Sequence, residues 1–322
     1  MNVLVFGKDG QLGKAFQTAV SAKSLERIHQ IHFAGRAQCD LSDEKVLTAF
    51  LCDHKPNVII NAAAYTAVDR AESEVDLAFA INAKAPEIMA DYAAKEGATL
   101  LYYSTDYVFD GSKATPYVES DERNPLGMYG KSKAAGEEAI EDAFASNPNP
   151  QARFAIFRTS WVYGDGGNFI RTILRRAKEH DTLKVIANQH GVPTSAAWLA
   201  NISLDILFDE ASQLWAFPSG IYHAVPQGES TWHALACYAV QIALDAGAEL
   251  KLRPYQIVPI PASEYPFPTP RPMNSRLARI ALDTLMSQIH KDSDVTKLQQ
   301  WQQSWEESVK TYVCNLDLHK LI

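Results

Sequence analysis

The chain is predicted to fold as an α/β protein: a doubly wound parallel sheet followed by a smaller mixed α/β lobe. Three observations lead there. Short runs rich in β-branched and aromatic residues alternate with helical patterns through the first half. These runs are apolar throughout, as strands covered on both faces must be. After about residue 165 the rhythm loosens into short strands, helices and a proline-rich link. The expected division is therefore 1–165 for the sheet domain and 166–322 for most of the lobe, with segments returning to the sheet domain.

In chain order, the expected strands of the sheet domain are "NVLVFG" at 2–7, "QIHFAG" at 30–35, "NVIINAAA" at 57–64, "ATLLYYST" at 98–105 and "RFAIFRTS" at 153–160. Between the third and fourth, "EVDLAFAINAKAPEIMADYAAKEG" carries apolar residues at helical spacing and stops at Gly97. In the second half "TLKVIA", "GIYHAV" and "YQIVPI" read as short strands, with helices starting near Ser195 and Ser230. The link at 261–275 holds five prolines, which rules out a helix and predicts a strap over the surface near the C-terminal edge of the sheet. A final helix is expected over 295–313, docking through Leu298, Trp301, Trp305 and Val309 on one stripe.

Composition narrows the function classes. With 322 residues the chain can bury a sizeable core, and a net charge of −8 argues against general affinity for nucleic acid or an anionic membrane. Cys39, Cys52, Cys237 and Cys314 are widely spaced and form no C-x-x-C pair, so reduced thiols are expected rather than a disulfide framework or zinc site. The start "MNVLVFG" reads as a strand, not a signal peptide, and no run is long enough to cross a bilayer. A cytoplasmic protein is expected.

"VFGKDGQLGKAF" places Gly7, Gly10 and Gly13 directly after the first strand and at the opening of a helix. Glycine suits a tight turn approached closely by a diphosphate, and the helix N-terminus offers unpaired N–H groups and a positive dipole end. The second strand should end near the adenosine ribose, where a basic residue accommodates a 2′-phosphate. Arg36 stands at that place, which favours NADPH with NADH as the alternative; a solvated surface arginine fits equally well. Asp40 and Leu41 fall where the next loop flanks an adenine, although Asp40 also reads as the N-cap of the following helix.

"PLGMYGKSKAAGEEAI" sets Tyr129 four residues before Lys133 on the first turn of a helix, so the two share a face. A free phenol has a pKa near ~10. A neighbouring ammonium favours the phenolate and a positively charged nicotinamide adds to the effect; lowering by ~2–3 units would make the phenol a proton donor or acceptor suited to neutral pH. Thr105 ends a central strand and can donate to a carbonyl oxygen as charge grows there during hydride attack. Tyr-x-x-x-Lys alone is frequent by chance. The ordered set of glycine turn, strand ending in Ser-Thr, then Tyr-x-x-x-Lys carries the weight.

"FGKDGQLG", "NAAAYTAVDRAE", "YSTDYVFDG", "YGKSKAAGE", "FRTSWVYG", "NQHGVPT" and "RPMNSRL" together resemble the extended short-chain dehydrogenase/reductases, and among them the dTDP-4-dehydrorhamnose reductases. The resemblance implies a Rossmann-like fold and hydride transfer from NAD(P)H to C4 of dTDP-4-dehydro-L-rhamnose. Tyr129 would protonate the C4 oxygen, Lys133 would tune it and bind the nicotinamide ribose, and Thr105 would polarise the ketone. It further implies sugar contacts from Asp106 and Trp161, a diphosphate cradle of Gly7, Gly10, Gln11, Leu12 and Gly13, and a nicotinamide side formed by Ala63, Ala64 and Tyr65. Tyr65 replaces a common histidine. Some relatives dimerise through metal-bound carboxylates, but the matching position here is Ala15, so no metal is expected and the state is monomer or homodimer. Two rivals stay open: a nucleotide-sugar epimerase or dehydratase that retains its cofactor, and a non-catalytic NADP-binding regulatory subunit. Thr105 is followed by Asp106 and Tyr107 rather than an Asp-Glu pair, which disfavours dehydration.

Overall fold

The computed structural model describes residues 1–265, 267–289 and 301–317. Five strands, β1 (Asn2–Phe6), β2 (Gln30–Ala34), β3 (Val58–Asn61), β4 (Thr99–Thr105) and β5 (Arg153–Thr159), fall on the expected apolar runs. The third stops at Asn61 rather than running through the alanines, because the glycine turn after β1 packs against Ala62 and Ala63 there. A sixth strand comes from the second half of the chain: β10 (Gly220–His223) pairs in parallel with β5. The sheet order is β10-β5-β4-β3-β1-β2, so the direction of winding reverses between β1 and β3. Ligands bind at such a switch point, beyond the C-terminal ends of the strands.

Helices cover both faces. On one side α1 (Gln11–Ala22) and α8 (Ala196–Leu207) bring Phe16, Leu199 and Ile206 against the sheet. On the other, α2 (Glu44–His54), α5 (Ala85–Glu96) and α6 (Met128–Ser146) contribute Leu47, Leu51, Met89 and Ile140. Each aliphatic side chain buried this way is worth ~1.5–3 kcal/mol. Between β3 and β4 the helical run is interrupted: α3 (Val68–Ala71) and α4 (Val75–Phe79) are followed by a π-helical segment, Ala80–Lys84, before α5, which ends on Gly97 as expected.

The lobe has its own core, where Leu174 of α7 (Phe169–Glu179) meets Leu235 and Val240 of α9 (Trp232–Asp245). Short strands knit it together: β6 (Val162–Tyr163) with β9 (Thr194–Ser195), β7 (Leu183–Ile186) with β12 (Ile257–Ile260), and β8 (His190–Gly191) with β11 (Ser230–Thr231). Ser195 and Thr231 cap α8 and α9. The proline-rich strap contains one 3-10 turn, Ala262–Glu264. It is followed by α10 (Ile280–Ile289), which has no counterpart among the expected elements.

The expected final helix is broken. The chain is not helical at Gln302 and Gln303, and Ser304 opens α11 (Trp305–Cys314) with a capping box, its hydroxyl accepting from Glu307 N–H. The supposed stripe is therefore divided: Trp301 packs in the sheet-side core, Trp305 and Val309 in the lobe. Leu298 lies outside the described residues.

Candidate active site

A cleft of about 1020 Å³ runs across the C-terminal edge of the sheet to the lobe. Of the residues expected at the site, all but Gly13 line it. At one end the turn after β1 holds Gly7 at φ +85, and a Cβ there would stand 2.7 Å from the backbone nitrogen of Ala63. Gly7 thus lets the turn lie against the end of β3, bringing Gly10, Gln11 and Leu12 to one wall and Ala63, Ala64 and Tyr65 to the next. Gly13 sits behind the turn. A Cβ on it would come within 2.0 Å of the Gly7 carbonyl oxygen, so its part is to let α1 close on the turn rather than to touch a ligand.

Arg36 and Asp40 share the outer rim, bound to each other at 3.1 Å, with the Arg36 side chain 75% exposed. Asp40 is not the helix cap. It accepts from the Ser42 N–H and hydroxyl, whereas Asp43 caps α2 by accepting from the N–H groups of Lys45 and Val46. Asp43 is the residue directly before the first helical turn, which is where a capping carboxylate must stand. Leu41 is buried beside them.

The other end is formed where β4 and α6 meet. Thr105 and Asp106 close β4, both buried, with the Thr105 hydroxyl donating to Asp106 Oδ1 at 3.0 Å. Tyr129 stands in the first turn of α6 and shares the cleft with Thr105, whose hydroxyl acts on the phenol. The start of that helix is fixed from outside, because its N-cap, Gly127, offers no side chain and Glu72 accepts from the Met128 N–H at 2.8 Å instead. Lys133 follows one turn later, 1% exposed, its Nζ donating to the Tyr103 carbonyl at 2.6 Å above the Tyr102 ring.

One electrostatic expectation is corrected here. Burial pushes the Tyr129 phenol up to about 12; the Thr105 hydroxyl pulls it down and the Asp106 carboxylate pushes it further up. Lys133 does not lower it, because the ammonium is aimed at the strand carbonyl. Burial also brings Lys133 itself down to about 7, with Glu137 working against the fall. A high phenol value keeps Tyr129 protonated, the form a proton donor needs.

Several residues that no spacing pointed to support this end. Asn82, buried in the π-helical segment, bonds both the N–H and the carbonyl of Tyr65 and donates to the Ser132 hydroxyl on α6. A π turn inside a helix is itself a frequent mark of a functional site, and this one ties the Tyr65 wall to the Tyr129 helix. Glu137, fully buried, binds Arg158 at 2.7 Å and Arg123 at 2.7 Å. Trp161, in the left-handed region at φ 47, stacks on Trp232 with ring centroids 3.7 Å apart, and both line the cleft. Trp232 opens α9, so the stack joins the sheet domain to the lobe. Among the described residues no three His, Cys, Asp or Glu side chains converge on a metal position, and no helix is long and apolar enough to cross a membrane.

Comparison with known proteins now adds to the geometry. A family model described as RmlD substrate binding domain matches residues 1–314. The chain belongs to that family. Curated members at similar length include the dTDP-4-dehydrorhamnose reductase of Salmonella typhimurium, 42% identical over 282 residues, covering 86% of this chain and 89% of that protein. The Escherichia coli K12 reductase is 40% identical over 281 residues, with 86% and 89% covered. Among solved structures, the Clostridium acetobutylicum dTDP-4-dehydrorhamnose reductase superposes with a TM-score of 0.80 at 32% identity, covering 97% of this chain and 98% of that one. The Bacillus anthracis reductase, solved in complex with NADP, gives 0.78 at 29% identity, with 98% and 99% covered. A Thermus thermophilus UDP-glucose 4-epimerase complexed with NAD gives 0.71 at 16% identity, a likeness of fold alone within the Rossmann-like architecture.

Proposed function

We propose that this protein reduces dTDP-4-dehydro-L-rhamnose to dTDP-L-rhamnose with NADPH, NADH being the weaker alternative, as the last step of dTDP-L-rhamnose synthesis. The observation that carries the reading is the convergence of Tyr129, one helical turn from buried Lys133, with Thr105 in a cleft whose far end is a glycine turn and helix N-terminus.

The residues suit a dinucleotide. Gly7, Gly10, Gln11 and Leu12 would hold its diphosphate on the α1 N-terminus through backbone N–H groups, and the unpartnered Gln11 Oε1 would accept from a donor such as a cofactor hydroxyl. Arg36, with Asp40 and Leu41 beside it, would face the adenosine ribose, and Ala63, Ala64 and Tyr65 would border the nicotinamide. Bound NADPH supplies the hydride. Thr105 would orient the ketone and donate to its oxygen, where negative charge grows. Tyr129 would then give its proton to that oxygen. An alkoxide is a much stronger base than a phenolate, so a phenol held near 12 still transfers its proton downhill. Lys133, beneath the phenol, would bind the ribose and replace the lost charge balance. Asp106 and the Trp161 edge would bound the sugar.

The same reading has the protein acting on a soluble nucleotide sugar in the cytoplasm, as a monomer or homodimer, with no nucleic-acid or membrane partner. It also divides the chain into a 1–165 cofactor domain and a 166–322 region that is mainly substrate lobe, with segments such as β10 and α8 returning to the sheet domain; the glycine turn and Trp232 at the two sides of the cleft support it. Steady-state assays with the purified protein, this sugar and each cofactor test it. Stoichiometric NADPH oxidation is expected, and product formed without net oxidation would point to an internally recycling epimerase instead.

A further inference from the structure

Thr105 is called on to donate to the ketone, yet its one proton is already engaged. A threonine hydroxyl has one proton and accepts at two lone pairs. The Tyr107 N–H donates to Oγ1 at 3.2 Å, and Oγ1 gives its own proton to Asp106 Oδ1 at 3.0 Å. While the Asp106 carboxyl is ionised it holds the one proton that the ketone needs.

The surroundings of Asp106 disfavour that ionised form. It is 2% exposed, it lines the cleft, and its Oδ2 is buried with no hydrogen-bond partner. No ion pair reaches it among the described residues. The groups acting on or beside it are the neighbouring Tyr107, the Tyr129 phenol from α6, and the hydroxyls of Thr105 and Ser275. The Arg271 guanidinium, beside the Tyr107 ring, pairs with Asp69 at 2.7 Å and makes no ion pair with Asp106. An unpaired buried carboxyl with an orphaned oxygen is the arrangement in which the neutral acid is preferred.

We propose that Asp106 works as a neutral carboxylic acid and, in that form, releases the Thr105 proton toward the C4 oxygen of the sugar. It is a positioning residue that acts through Thr105. The Tyr107 N–H takes one lone pair of Oγ1. The protonated carboxyl donates into the other, and Thr105 turns its own proton to the substrate. Asp106 keeps its proton throughout, and the proton that ends on the C4 oxygen is the one from Tyr129. In the free cleft, burial already brings the carboxyl up to about 6, with the nearby Ser275 and Thr105 hydroxyls working against the rise. A sugar seated over it removes the remaining water and pushes it higher.

The inference rests on the reductase reading, and the pH dependence of kcat with NADPH and dTDP-4-dehydro-L-rhamnose tests it. In the wild type kcat should be level at acid pH and fall as pH rises past the Asp106 value, at or above about 6. Lys133 titrates nearby, at about 7, so variants are needed to separate the two. Asp106→Asn, whose amide donates at every pH, should lose the lower limb of the profile while kcat at acid pH drops less than about tenfold. Thr105→Val should lose the same limb with the carboxyl still in place, and its kcat should fall ~10²–10³-fold. It decides the question should the Asp106 variant not fold. A lower limb that survives in either variant overturns the proposal, as does Asp106→Asn losing as much kcat as Thr105→Val while still binding NADPH. A wild-type enzyme with turnover and a flat profile overturns it too and leaves the reductase reading standing. A protein that never oxidises NADPH with this sugar overturns that reading itself.

Discussion

The glycine-turn end of the cleft is built from backbone and short-range spacing, whereas the Tyr129 end is held by buried side chains from segments far apart in the chain. At the first end, Gly7, Gly10 and Gly13 lie within one turn and one helix start, and the work is done by N–H groups and the absence of Cβ atoms. At the second, Tyr129 and Lys133 from α6 meet Thr105 from β4, Asn82 from the π segment, Arg158 from β5 and Trp232 from the lobe. A backbone site tolerates change everywhere except where space is needed. A side-chain site depends on each partner, because an orphaned buried group costs its full desolvation.

Removing the reactive group gives the largest effect expected. Tyr129→Phe should lower kcat by ~10²–10⁴-fold, the range of a lost general acid, with NADPH affinity nearly unchanged by fluorescence titration. Wild-type turnover in that variant removes the chemistry from the Tyr129 end altogether.

Next comes the support beneath it. Glu137→Ala would strand the Arg158 guanidinium, which is 1% exposed. Breaking such a buried pair should cost ~3–5 kcal/mol in urea unfolding. The pair also sets a pH dependence. Burial alone would raise the Glu137 carboxyl, but Arg158 and Arg123 hold it below its ordinary value. Its folded value is thus depressed. The stability it contributes is present above the unfolded carboxylate range, near ~4.3, and lost as pH falls through the folded value. Unfolding midpoints that do not drop on acidification below that range more steeply in the wild type than in Glu137→Ala contradict this.

A smaller effect is expected at the other end. Gly13→Ala forces a Cβ into the Gly7 carbonyl, and overpacking of this kind costs ~1–3 kcal/mol. Because α1 must back away from the turn, NADPH binding should weaken with kcat at saturation little altered, the converse of Tyr129→Phe. A variant that loses kcat and keeps affinity would erase the contrast between the two ends. Smallest is Arg36→Ala at the exposed rim, where NADPH should bind about tenfold more weakly and NADH unchanged. Equal losses for both cofactors would make Arg36 a surface residue only.

The same contrast explains what the sequence made legible. The five strands and the glycine turn follow from local apolar runs and from spacing within a dozen residues. Tyr129 and Lys133 are found by helical spacing, and Thr105 by its place at a strand end. What pattern reading misses is tertiary. Asn82 looks like any polar residue in a helix until the π turn aims it at Tyr65, and Glu137 and Arg158 look like surface charges until α6 lies on β5. The phenol value goes the wrong way for the same reason, since helical spacing says that Lys133 is near but not that Tyr103 claims its ammonium. The split of the last helix turns on Ser304, whose capping box interrupts an apolar stripe that otherwise reads as continuous.

The measurement closest to the central claim is transfer of label from NADPH carrying deuterium on its transferable C4 position to dTDP-4-dehydro-L-rhamnose, read by NMR of the sugar. The account predicts deuterium at C4 of dTDP-L-rhamnose, one NADPH consumed for each product, and labelled product formed ~10²–10⁴-fold more slowly by Tyr129→Phe. Unlabelled product, or label carried with equal speed by that variant, contradicts it.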